Sequence, residues 1–202
     1  MSREYIKKES GYTIIETMIA VSLFIIIIML GMGALLNANL LHNKSKNMRS
    51  IMDNLSFIME DMSKNLRTGY NYHCTTNDDI NDSFTNLSTP QGGENCGGIA
   101  FEYQYGDPDN DSDQWVYKIE SQNGGKTFYI RKSVDSGITW VRLTPDEIDI
   151  DPISSFSILG AEPLPDSDQP FVTIKLKGSI FYKDIESPFS LQTSVSQRMI
   201  DI

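Results

Sequence analysis

Glu16 is the residue whose chemistry fits its surroundings least. It is a carboxylate four residues into an apolar stretch that begins at Tyr12. An ionisable group at membrane depth costs about 2.5 to 3.5 kcal/mol on insertion scales, so it calls for a countercharge or a function. No Lys or Arg follows within two helical turns, and the nearest cation is Lys8, across Gly11. A second acidic group, Asp107, Asp109, Asp111 and Asp113, alternates through DPDNDSD, a spacing that can aim several oxygens at one hard cation such as calcium. It departs from the EF-hand loop, because Ser112 stands at the glycine position and Lys118 where the bidentate Glu belongs. A solvated acidic hairpin between two strands is the alternative reading. Cys74 and Cys96 bracket a polar stretch. A disulfide there would contribute about 3 kcal/mol in an exported domain, whereas two thiols would be expected in a reducing compartment.

Catalytic chemistry finds little footing. His42 falls in a helical run and His73 sits beside Cys74 in the polar stretch, without triad or metal-ligand spacing around either. No GxxxxGK or GxGxxG pattern follows a strand, so nucleotide chemistry has no motif, and the chain is not expected to be an enzyme. Two His and two Cys in 202 residues exclude a four-cysteine zinc site. Seventeen basic against 27 acidic residues give a net charge of -10, which repels a phosphate backbone and argues against nucleic-acid contact by the bulk surface.

The elements that must position these residues begin with a membrane segment. Residues 17–36, TMIAVSLFIIIIMLGMGALL, contain no charge, and at 1.5 Å per residue a helix of about 20 residues spans the roughly 30 Å hydrocarbon core. Four consecutive Ile at 25–28 leave no polar face for water. The run is too long for a signal-peptide h-region. Arg3, Lys7 and Lys8 before the segment balance Lys44, Lys46 and Arg49 after it, so the positive-inside rule does not orient it.

The helical signal continues beyond the segment. Leu40, Leu41, Met48, Ile51, Met52, Leu55, Ile58, Met59, Met62 and Leu66 recur mostly at three- and four-residue steps, with neither Pro nor Gly between Ala34 and Thr68. One helix from about residue 12 to 67 is expected, its Met-rich stripe forming core and Gly69 acting as C-cap. Residues 70–98 read as a polar surface loop. Strand-like alternation follows at 99–105, 115–120, 127–133 and 138–143, with NGG at 123–125 and DSG at 135–137 as turns, and again at 155–161, 171–182 and 189–197. The fold class is α+β: a long N-terminal helix on a C-terminal antiparallel head.

The stretch KKESGYTIIETMIAVSLFIIII resembles the N-terminus of type IV pilins and type II secretion pseudopilins, in which a short basic leader ends in Gly before an aromatic residue and a Glu at the fifth mature position. Those positions are Gly11, Tyr12 and Glu16 here. The resemblance is close over about residues 4–36 and weaker to about 66. It implies a lollipop-shaped fold, cleavage between Gly11 and Tyr12 by a prepilin peptidase on the cytoplasmic side, and methylation of the new amine. It also implies that Glu16 meets the Tyr12 amine of an adjacent subunit during assembly. Tyr12 replaces the commoner Phe, and Gly31 and Gly33 stand near where many major pilins carry a helix-kinking Pro; these glycines can serve local melting or close helix packing. Some pseudopilin heads bind calcium, which keeps the four aspartates as a candidate site. The last strand followed by Arg198 resembles the tails of minor pilins and J-type pseudopilins.

The expected organisation is a cytoplasmic leader at 1–11, a transmembrane half-helix at 12–36, an amphipathic soluble half at 37–68, a variable loop at 69–98 and an antiparallel head at 99–202. The expected partners are other pilin or pseudopilin subunits, the prepilin peptidase and a cytoplasmic-membrane assembly platform. The leader would be cytoplasmic and the head exported. A minor rather than major subunit is favoured, because a large, acidic, loop-rich head is hard to repeat along a dense filament. A membrane-anchored, calcium-dependent binding ectodomain that never polymerises is the rival reading.

Overall fold

The uncharged run and the periodic stripe behind it form one helix, α1 (Ile14–Thr68), of 55 residues. A computed structural model describes residues 11–75, 89–107, 110, 112–122, 124–162, 168–182 and 185–198. The chain divides into two compact units, residues 1–46 and 47–202. In the first, α1 carries no buried residue. In the second, Ile51, Leu55, Ile58, Met59, Met62 and Leu66 turn one stripe of α1 into a core, as apolar residues at three- and four-residue steps must when a hydrophobic surface is available. The stripe starts later than the periodicity suggested: Leu40 and Leu41 remain exposed.

Ten strands complete the second unit: β1 (Tyr70–Thr75), β2 (Gly93–Cys96), β3 (Gly98–Glu102), β4 (Trp115–Gln122), β5 (Thr127–Ser133), β6 (Val141–Arg142), β7 (Ile148–Ile150), β8 (Ser155–Leu159), β9 (Phe171–Tyr182) and β10 (Ile185–Ser196). They form two antiparallel sheets rather than one. The first has the order β1-β3-β4-β5-β6; the second runs β10-β9-β8-β2, with β7 also paired to β9. Their alternating apolar residues, such as Ile99 and Phe101 on β3 or Val172, Ile174 and Leu176 on β9, join the helix stripe in one core.

The stretch read as a loop over 70–98 therefore holds a strand at each end. Both stand at the end of their sheet's strand order, where a polar sequence such as YNYHCT is tolerated. Three other boundaries also move. The strand expected over 138–143 shrinks to Val141–Arg142, because the Asp135 carboxylate accepts the Thr139 N–H at 2.8 Å and the Ser133 hydroxyl at 2.7 Å, holding the intervening residues in a loop. The strand expected over 99–105 ends at Glu102. β10 begins earlier than expected and carries Pro188 opposite Ser179, which an edge strand accommodates.

Gly69 follows the helix and donates its N–H to the Asn65 carbonyl at 3.0 Å, yet it is not a left-handed cap; the positive φ, 53°, belongs to Asn71. A glycine is needed there for space, since a Cβ would stand 2.4 Å from Cδ2 of Phe101. Gly178 on β9 has the same reason, a Cβ there falling 2.2 Å from the Asp149 carbonyl of the paired β7.

Leu55 is fully buried, and its truncation to Ala is expected to cost about 2–5 kcal/mol. Both tryptophans, Trp115 and Trp140, lie in the second unit, so thermal unfolding followed by Trp fluorescence should show a lowered midpoint for Leu55→Ala. Leu35→Ala, at a site 72% exposed, should leave that transition in place.

Candidate functional site

The amino end of α1 is built by a local motif. Gly11, Tyr12 and Thr13 precede the helix. The carbonyl of Thr13 accepts the N–H of Thr17 at 3.2 Å, and its side-chain Oγ1 accepts the N–H of Glu16 at 3.3 Å. Thr13 is thus the N-cap and Glu16 the third helical residue, the T-x-x-E arrangement of a capping box. TIIE directly before an apolar run was the sequence signal for this, and it was missed. A carboxylate in the first turn is also favoured by the positive end of the helix dipole. Glu16 therefore lies in the first turn of the apolar helix.

Around that carboxylate no described cation stands within ion-pair distance, and the Glu16 side chain is exposed. Lys8 and the rest of the leader up to residue 10 lie outside the described residues. Tyr12 is 81% exposed. A Cβ placed on Gly11 would meet nothing within 4 Å among the described residues. The same openness holds at Gly31 and Gly33. The apolar run is long and hydrophobic enough to cross a membrane, and none of its most hydrophobic window is buried by the rest of the chain.

Cys74 and Cys96 are joined in a disulfide with Cα atoms 5.5 Å apart. Because Cys74 is on β1 and Cys96 on β2, the bond staples the edge of the first sheet to the edge of the second. Two hydrogen bonds of 2.9 Å, Cys74 N–H to the Gln91 carbonyl and Gln91 N–H to the Tyr72 carbonyl, reinforce the seam. The bonded sulfur also removes the thiol that a His73–Cys74 nucleophile would need; His73 Nδ1 lies 2.7 Å from the Thr89 carbonyl instead. His42 is exposed on α1.

Of the four alternating aspartates, Asp109 and Asp111 lie outside the described residues. Asp113 Oδ2 accepts the Asp107 N–H at 3.0 Å. Among the described residues no three His, Cys, Asp or Glu side chains assemble as a metal-holding group. Tyr70, whose hydroxyl donates to the Gly106 carbonyl at 3.2 Å, has its pKa raised by burial, then by Glu102, Asp113 and Asp107. Glu102, at 1% exposure, was hidden from sequence reasoning because a strand-end acid reads as solvated.

Two buried polar networks flank β4. On the helix side, Asn65 donates to the Tyr117 hydroxyl at 2.9 Å, and Tyr117 donates to Asp61 at 3.2 Å. These bonds fix the register of α1 on the first sheet, and burial raises the Tyr117 pKa well above its ordinary value. On the opposite face, Lys118 has only 1% of its side chain exposed, with Glu120 at 4.0 Å. Glu120 accepts the Arg131 guanidinium at 2.6 Å and the Tyr129 hydroxyl at 2.8 Å, and Arg131 stacks 4.0 Å from the centre of Trp140. Burial, then Arg131, bring the Lys118 pKa from 10.5 to about 8, with Glu120 opposing.

Comparison with protein-family models, with curated proteins and with solved structures finds no match to this chain.

Since the folded-state pKa of Lys118 lies below the unfolded value, the unfolded chain holds more protons between about pH 8 and 10.5. The contribution of this group to stability must therefore rise with pH across that window. Tyr117, with its pKa raised, opposes only above about pH 10, where the unfolded phenol ionises first. Lys118→Met should bring the thermal midpoints at about pH 7.5 and 9.5 closer together than in the parent chain.

Proposed function

We propose that the chain is a minor pilin or pseudopilin. It is cut between Gly11 and Tyr12 by a prepilin peptidase, stored in the cytoplasmic membrane by the first half of α1, and moved into the helical bundle of a type IV pilus or a type II secretion-like pseudopilus. The observation that carries this reading is Glu16: a carboxylate in the first turn of an uncovered apolar helix, with no described cation in reach. Cleavage after Gly11 creates a Tyr12 ammonium four residues away, and an α-amino group of pKa about 7.7–8.0 is largely charged at neutral pH.

Within one chain the pair gains little. In a bundle of apolar helices, however, a carboxylate left alone is strongly disfavoured, and losing one partner of a buried ion pair costs about 3–5 kcal/mol. A neighbour's Tyr12 amine satisfies Glu16 only when the two helices are staggered correctly. The interaction thus acts as a register check on a contact otherwise made of non-directional apolar surface. The open space around Gly11 and the exposed Tyr12 ring suit a segment read by an enzyme rather than one holding a fold. The head, stapled by its disulfide, gives the subunit its position in the assembly.

N-terminal sequencing of the membrane-extracted protein should begin at Tyr12, with a methylated amine. Glu16→Leu should leave the chain folded and membrane-bound while reducing its incorporation into filaments at least about tenfold, the factor that 1.4 kcal/mol of lost pairing produces. An intact Met1 or Ser2 end, with normal behaviour of Glu16→Leu, would instead favour the non-polymerising anchored ectodomain.

A further inference from the structure

The last two turns of α1 and the end of β10 enclose a cleft of about 620 Å³ in the second unit. Its walls carry Lys64 and Arg67 from the helix and Arg198 from the chain just after β10. The geometry has a simple origin: Arg198 donates its N–H to the Arg67 carbonyl at 2.8 Å, bringing the two guanidinium-bearing residues together where helix and strand end. Lys64 lies one helical turn before Arg67, so all three cations line the same hollow. None has an ion-pair partner among the described residues, although the chain as a whole carries a net charge of -10.

Helix electrostatics accounts for part of this. Lys64 and Arg67 lie in the closing turns of α1, where the dipole presents about half a negative charge. That explains two of the cations and leaves Arg198, which is not on the helix. Among the described residues one carboxylate, Glu60, lines the cleft. Even after the dipole is subtracted, these lining residues carry a surplus of about 1.5 positive charges. Ser63 adds a hydroxyl to the wall and Val195 an apolar contact.

We infer that this cleft is a docking site for an acidic segment of a neighbouring protein subunit, carrying several Asp or Glu side chains in a short stretch. The choice of a peptide over a small free anion rests on magnitude. Lys64, Arg67 and Arg198 are all exposed, and a solvent-exposed ion pair contributes at most about fivefold in affinity. Three such contacts together give about a hundredfold, so a lone phosphate would be held only at concentrations of order 10 mM. An acidic segment gathers the same three contacts and adds backbone and apolar contacts along the cleft. In the filament reading, on which the identity of the neighbour rests, this cleft gives the head a charge-selective contact distinct from the helix-to-helix contact made by Glu16.

The probe is a fluorescent peptide copying residues 104–114, QYGDPDNDSDQ, the chain's own run of four alternating aspartates. Its control carries Asn in place of every Asp. Anisotropy is read on the full chain in neutral-detergent micelles at low salt. The acidic peptide should bind saturably and the Asn control at least about tenfold more weakly. Combining Lys64→Gln, Arg67→Gln and Arg198→Gln should weaken the acidic peptide by about ten- to a hundredfold, with the thermal midpoint of the head unchanged. Arg67→Lys with Arg198→Lys, which keeps the charges, should stay within about threefold of the parent. Equal binding of both peptides, or undiminished binding by the triple Gln variant, overturns the inference. So does displacement by inorganic phosphate well below about 1 mM, which would make the cleft a small-oxyanion site. This test and the cleavage test fail separately: an uncleaved chain that binds the peptide keeps the cleft and loses the filament, while a cleaved chain that ignores it loses the cleft alone.

Discussion

Among the described residues, the first half of α1 buries none of its apolar side chains. Ile15, Leu30 and Leu35 are each more than 70% exposed, and the four consecutive isoleucines point all round the helix, so no rotation of α1 could hide them. At about 25 cal/mol per Å², leaving such a surface in water is costly, and the run is long and apolar enough to cross a membrane instead. The segment is long enough for a bilayer, its one charged residue, Glu16, is in the first turn, and a Cβ at Gly31 or Gly33 would meet nothing among the described residues.

The second half of the same helix shows the opposite regime. From Ile51 onward the apolar residues narrow to one stripe, and that stripe is buried against two sheets. Apolar burial alone would permit sliding along the helix axis; the Asn65–Tyr117–Asp61 chain of hydrogen bonds removes that freedom, because shifting the register would strand buried polar groups. The Cys74–Cys96 bond restrains a different coordinate, the separation of the two sheet edges.

Much of this was legible in the residues. The uncharged run, the periodic stripe and the strands at 115–120, 127–133 and 171–182 follow from periods of 3.6 and 2, because each has a strong apolar face. What escaped were elements too short or too polar to show a period, although Tyr72, Cys74, Cys96, Ile148 and Ile150 on them reach the core. β1 and β2 are edge strands of polar composition, β7 is three residues long, and the start of β10 is masked by a proline that only an edge position permits. Partition into two sheets was equally hidden, since nothing in local alternation says which strands pair. At the amino end of α1, the lone acid of the apolar run was readable, whereas the Thr13 cap that accepts the Glu16 N–H went unread. Lys118 and Glu102 were invisible for the reverse reason, as a charged residue in a strand is expected to face water and these do not.

The claim on which all this rests is that the first half of α1 lives outside water. Both native cysteines are tied in the disulfide, so a thiol introduced at Ile26 is reported alone by a water-soluble maleimide applied to opened membrane fragments. The account predicts that Ile26→Cys stays unlabelled until detergent is added, while Lys126→Cys, at an exposed head position, reacts at once. Equal labelling of the two in intact bilayer would contradict it.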